Sequence, residues 1–125
     1  MGRRTSEADG RRVLVVDDDA DWREFLKLCL EDLGYEAIEA ADGQEALDSL
    51  ERMPCGVMLL DLNMPGMNGF EVLERLPRNR SSTRVVFLTS AAPHDVGGAL
   101  RDGHYYLPKG ASRDQLSLLL QSLEA

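Results

Sequence analysis

The chain has 125 residues, 43% of them hydrophobic, and a formal net charge of −8 from 22 acidic and 14 basic side chains. That length suits one domain whose core needs no disulfide or structural metal, and the composition excludes a disordered chain. The basic residues are scattered apart from Arg3, Arg4, Arg11 and Arg12, which argues against direct nucleic-acid binding, since that needs a concentrated basic surface.

Cys29 and Cys55 lack metal-ligand spacing and lie in apolar stretches. They read as buried free thiols of a reduced, cytoplasmic protein. No apolar run approaches the roughly 18 residues of a membrane span, so no membrane role is expected. The opening MGRRTSEADGRR has no apolar segment behind its arginines. Residues 1–11 therefore read as a flexible tail rather than a signal peptide, and residues 12–125 as the folded domain.

The elements follow in chain order. Val13–Val16 is a short β-branched and apolar run that stops at Asp17-Asp18-Asp19, the pattern of a strand buried on both faces. From Asp21 to Leu33, apolar residues recur at helical spacing (Trp22, Phe25, Leu26, Cys29, Leu30, Leu33), with Asp19 or Asp21 as cap and Gly34 as stop. Tyr35–Ala40 alternates and predicts a second strand, and Asp42-Gly43 a turn. Gln44–Arg52 predicts a helix ended by Pro54, and Val57–Leu60 an all-apolar strand stopping at Asp61. The segment Asn63-Met64-Pro65-Gly66-Met67-Asn68-Gly69 is dense in turn formers and reads as a loop. Phe70–Leu76 predicts a helix closed by Pro77, and Arg84–Leu88 a strand stopping at Thr89-Ser90. Asp95–Arg101 is a weak helix, Tyr105–Leu107 a fifth strand stopping near Lys109, and Arg113–Leu123 a last helix capped by Ser112. Strands alternating with helices imply an α/β fold, a five-stranded parallel sheet with five helices on its two faces.

In such a sheet the functional groups sit at the carboxyl ends of the strands. Those ends carry Asp17, Asp18 and Asp19, then Asp61, then Thr89 and Ser90, then Lys109. Clustered carboxylates repel one another unless a cation holds them together. A donor set of oxygens without His or Cys suits Mg2+ or Mn2+ rather than zinc. A carboxylate beside such a cation can attack phosphorus, with a nearby lysine offsetting charge on the transferring oxygens.

VLVVDDD, GYEAIEAADGQEAL, LLDLNMPGMNGFEVL, FLTS and YYLPKG, taken together over residues 13–124, resemble the receiver domain of bacterial response regulators, of the chemotaxis-regulator-like type used in two-component signalling. The resemblance implies a flavodoxin-like doubly wound sheet of strand order 2-1-3-4-5. Carried over by position, Asp61 resembles the phosphoacceptor. Asp18 resembles a direct metal ligand, and Asp17 the acid that reaches the metal through water. Asn63 would offer its backbone carbonyl to the metal. Thr89 resembles the switch hydroxyl, Lys109 the phosphate-pairing lysine, and Tyr106 the aromatic whose rotamer follows Thr89. Plainer readings stand beside these. Asp17 and Asp18 would serve as helix caps, Asp19 as a rival for one ligand role, Asn63 as a turn former and Tyr106 as ordinary strand packing.

Three features depart from the family pattern. The order Leu107-Pro108-Lys109-Gly110 puts proline before the lysine, so a Lys-Pro peptide cannot form. Thr89 and Lys109 are 20 positions apart, closer than is usual for the family. Gly97-Gly98 falls inside the weak helix, where two glycines cost about 1.5–2 kcal/mol of helix propensity. A short or irregular fourth helix is expected there, and with it no use of the dimer that members of the family commonly form through the face of the fourth helix, fifth strand and last helix. Ala91 is small and Asn63 polar, which implies no unusual protection of a phosphoryl group.

The resemblance implies a Mg2+-dependent (or Mn2+-dependent) phosphoryl acceptor fed by a histidine kinase or histidine phosphotransfer protein. It would signal to a downstream protein by conformational change or onward transfer, with no output domain in this chain. It would not be an enzyme beyond its own phosphorylation and dephosphorylation. The rival enzyme, an aspartyl phosphatase, typically has an acid two positions past its nucleophile, where this chain has Asn63. The other rival is a receiver fold that binds partners without being phosphorylated.

Overall fold

A computed structural model describes residues 11–76, 83–89 and 105–124, apart from the side chains of Thr89 and Glu124. The strands are β1 (Arg12–Val16), β2 (Glu36–Ala40), β3 (Val57–Asp61), β4 (Arg84–Thr89) and β5 (Tyr105–Pro108). The helices among the described residues are α1 (Ala20–Asp32), α2 (Gly43–Arg52), α3 (Gly69–Glu74) and α4 (Arg113–Glu124). The expected weak helix over 95–101, its two glycines, and the tail up to residue 10 lie outside the described residues, as do Ser90 and Ala91.

All five strands form one sheet of order β2-β1-β3-β4-β5. Every pairing is parallel, with Val16 beside both Ala40 and Leu60, and Asp61 beside Leu88. This is the expected doubly wound, flavodoxin-like order.

The continuous apolar runs follow from burial on both faces, since successive strand side chains point to opposite sides. Leu14, Val16, Met58, Leu60, Val85 and Phe87 pack against Ala46 and Leu50 of α2 and Val72 of α3. Val13, Val15, Val57, Leu59, Val86 and Leu88 pack against Leu26, Cys29 and Leu30 of α1 and Leu116, Leu120 and Leu123 of α4. Each fully buried leucine contributes about 1.5–3 kcal/mol of transfer free energy.

Helix starts are set by side chains that satisfy the first free N–H groups. Asp19 accepts from the amides of Asp21 and Trp22, and Asp42 from that of Glu45. Asn68 and Glu71 form a reciprocal capping box on α3. Ser112 and Gln115 exchange the equivalent pair of bonds at α4, at 3.1 and 2.8 Å. These caps start α1, α2 and α3 one residue earlier than apolar spacing suggests. The third helix also stops at Glu74, with Arg75 as its cap, short of Leu76. Gly34 takes φ 95° just past the end of α1, a conformation that favours glycine.

Candidate functional site

The strand order decides which residues meet. With β3 between β1 and β4, the carboxyl ends of β1 and β3 lie side by side at the point where chain winding reverses, the usual location of a ligand crevice in such sheets. Asp17 follows β1 directly, and Asp61 is the last residue of β3. The turn after β5 brings Lys109 back across β4 to both acids. Its Nζ lies 3.0 Å from Asp61 Oδ2 and 3.1 Å from Asp17 Oδ2.

Asp61 is 1% exposed and Asp17 0% exposed, whereas Asp18 is open to solvent. Each can offer an oxygen, and these oxygens lie within 4.8 Å of one another. Asp61 Oδ1 accepts the amide of Asn63 at 3.0 Å, and Asp17 Oδ1 that of Asp19 at 2.8 Å. Asp17 Oδ2 is buried and, among the described residues, has only the Lys109 ammonium against it. Burial pushes the Asp61 carboxyl above its ordinary range, and the Asp17 charge adds to this against the Asn63 amide and Lys109. Burial works against the Lys109 ammonium, but the two carboxylates outweigh it and hold its pKa above the usual lysine value.

Two of the three clustered carboxylates, Asp17 and Asp61, thus share the Lys109 ammonium, and Asp18 adds a third negative charge beside them. The donors are hard oxygens, one of them a buried atom with no partner but Lys109 among the described residues, and the excess charge is negative. That chemistry fits a small divalent cation such as Mg2+ or Mn2+.

Asp19 is spent on capping α1 and stands outside the three-carboxylate group. Asn63 is exposed, in a loop closed by the Leu62 amide on Leu88 O and the Gly69 amide on Leu62 O, each at 3.1 Å. Thr89 ends β4 opposite Pro108, while its side chain lies outside the described residues. Tyr106 is half-buried and packs against the core on the α2–α3 face. Pro108 completes β5, tolerated because β5 is an edge strand of the sheet.

Two residues escaped the sequence reading. Arg23, on α1, donates to the backbone carbonyl of Asp17 at 2.6 Å. Gly69, at the start of α3, lies where a Cβ would stand 2.8 Å from the carbonyl oxygen of Asp61. Helical spacing marked neither, because neither belongs to an apolar stripe.

The family model of the response regulator receiver domain matches residues 13–121. An uncharacterized 14.6 kDa protein in the sodA1 3′ region of Leptolyngbya boryana is 37% identical over 87% of this chain and 86% of its own length. The transcriptional regulatory protein TcrA of Mycobacterium tuberculosis is 32% identical over 98% of this chain, which spans about half, 49%, of that regulator. Among solved structures, the response regulator protein TrrA of Thermotoga maritima, in complex with Mg2+–BeF, superposes with a TM-score of 0.80. It is 31% identical, over 90% of this chain and 98% of that one. A family match that runs from the first residues of β1 well into α4, on a fold shared with a solved response regulator, makes this chain a member of the response regulator receiver domain family of two-component signalling.

Proposed function

We propose that this receiver accepts a phosphoryl group on Asp61 from a phosphohistidine donor, a histidine kinase or histidine phosphotransfer protein, in a reaction dependent on Mg2+ or Mn2+. The observation that carries the reading is the buried Asp61, 3.0 Å from Lys109, inside a group of three carboxylates whose charge that one ammonium offsets only in part. Asp18, Asp17, Asp61 and the backbone carbonyl of Asn63 would hold the cation. When bound, it offsets charge on the transferring phosphoryl oxygens. TrrA, a relative over nearly its whole length, takes Mg2+–BeF, which supports the same ligand chemistry here.

An Asp61 carboxylate oxygen forms the new O–P bond as the P–N bond of the donor breaks, and the imidazole departs with the electron pair. The Asn63 amide orients Asp61 through Oδ1. Lys109 transfers from the Asp61 carboxylate, which loses its charge on becoming an acyl phosphate, to a phosphoryl oxygen. Thr89 supplies the hydroxyl that follows the phosphoryl group, with Tyr106 next in that relay. The signal passes to a downstream protein partner in the cytoplasm, by conformational change or onward transfer. No catalysis beyond this self-directed chemistry is assigned, nor any contact with nucleic acid or membrane.

The test is incubation with acetyl phosphate and Mg2+, followed by intact mass measurement. One phosphoryl group should be added in wild type, and none without Mg2+ or in Asp61→Ala. A wild-type chain that is never modified but still binds its partners would replace this reading with a constitutive binding module.

A further inference from the structure

The peptide that joins Asp17 to Asp18 sets the direction of two of the three clustered carboxylates. It lies just past the sheet ladder, since β1 pairs with its neighbours only as far as Val16. The Asp17 amide still reaches Ala40 O on β2, at 3.1 Å. Among the described residues its carbonyl has no strand partner, and it accepts Nη1 of Arg23, at 2.6 Å. Arg23 is itself held from β2, because its Nε donates to Glu39 Oε1 at 2.9 Å. Glu39 is tied a second time, with Lys27 Nζ 3.7 Å from its Oε2. The guanidinium fork thus spans from the end of β1 to β2 and locks the rotation of the Asp17–Asp18 peptide.

We infer that Arg23, braced by Glu39, is a positioning residue for the cation site, holding the Asp17–Asp18 peptide so that both carboxylates converge with Asp61. This rests on the reading of that site as a Mg2+ site. Two effects of Arg23 oppose each other. Its positive charge repels a cation, whereas its hydrogen bond preorganises the ligands. Glu39 neutralises the charge at 2.9 Å, so the positioning effect prevails. A charge-assisted hydrogen bond to a backbone carbonyl is among the stronger kind. Its loss should weaken cation binding by about tenfold, with the sign opposite to that expected from charge alone.

The experiment measures the Mg2+ dissociation constant of the full chain through its single tryptophan, Trp22, and independently by thermal shift. Arg23→Met keeps the apolar stem and removes the donors. It should raise the dissociation constant about tenfold, while phosphorylation by acetyl phosphate at saturating Mg2+ stays within about twofold of wild type. Arg23→Lys, which restores one donor, should recover part of the affinity. Glu39→Gln should weaken binding in wild type but not in the Arg23→Met background, since residues of one network are not additive. Unchanged or tighter Mg2+ binding in Arg23→Met, or a rate loss that saturating Mg2+ does not restore, would overturn the inference. Absence of Mg2+ binding in the wild-type chain would overturn the cation-site reading itself, and this inference with it.

Discussion

Gly69 offers the sharpest test of how the fold seats Asp61. It is the first residue of α3, after the Asn68 cap, and its amide donates to Leu62 O at 3.1 Å. Helix propensity alone favours Gly69→Ala, by at most about 1 kcal/mol and less at a first helical position. Packing opposes it. The added Cβ would lie 2.8 Å from Asp61 O, 3.0 Å from Leu62 Cα and 3.2 Å from Leu62 Cδ2. The two nearest atoms are backbone, so the strain can be relieved only by moving the end of β3 or the start of α3. Overpacking of this kind costs about 1–3 kcal/mol, for a net loss of about 1–2 kcal/mol. For a domain of this size that lowers Tm by about 4–8 °C. Because the displaced backbone is that of Asp61, the rate of Mg2+-dependent labelling should fall more than the stability loss explains. Gly43→Ala is the control. Its Cβ would meet Val72 Cγ2 at 2.7 Å and Met67 Sδ at 2.9 Å, side chains outside the carboxylate cluster. It should lose stability with little change in labelling. A Gly69→Ala protein that melts at or above wild type, measured by circular dichroism without metal, would refute the reasoning.

Asp61→Asn should melt higher than wild type in chelator at neutral pH. Burial raises the Asp61 carboxyl, so the folded state holds that proton more tightly, and ionisation above the ordinary carboxylate range weakens the native protein. In wild type, Mg2+ at a hundredfold excess over its dissociation constant should add about 2.7 kcal/mol, an increment that Asp61→Asn should largely lose; equal shifts in both would contradict this. Lys109→Met leaves two buried carboxylates without their shared partner and should cost about 2–3 kcal/mol, with saturating Mg2+ restoring a part, as read by urea midpoints. Ser112→Ala removes half of the capping pair on α4 and should cost about 1 kcal/mol, without altering Mg2+ affinity. Burial raises the Cys29 thiol, opposed by Arg113, so its contribution is intact below the ordinary thiol value of about 8.5 and is lost as pH rises above it. The midpoint of wild type should therefore fall more steeply with alkaline pH than that of Cys29→Ala.

The element order was legible because each strand is a short apolar run stopped by a polar turn. Each well-formed helix carries a stripe at three- and four-residue spacing, as in Leu26, Cys29 and Leu30. Element ends were less legible, since a cap lies outside the apolar stripe it starts. Asp42 and Asn68 decide where α2 and α3 begin, yet neither is apolar. Asp19 shows the same limit at the site. In sequence it is a candidate both for a cap and for a metal ligand, and its bonds to the amides of Asp21 and Trp22 assign it to the cap.

The sequence by itself determined the parallel α/β class, the strand-end placement of Asp17, Asp18, Asp61 and Lys109, and the oxygen-rich character of the site, because hydrophobic period and residue chemistry are local properties. Tertiary structure alone decided that Lys109 is shared between Asp17 and Asp61, that a Gly69 Cβ would press on the Asp61 carbonyl, and that Arg23 and Glu39 brace the Asp17–Asp18 peptide. Those contacts join residues that are distant along the chain or outside any periodic pattern. The strand order β2-β1-β3-β4-β5 puts β1 between β2 and β3, so that Asp17 meets the Lys109–Asp61 pair on one side and the Arg23–Glu39 brace on the other.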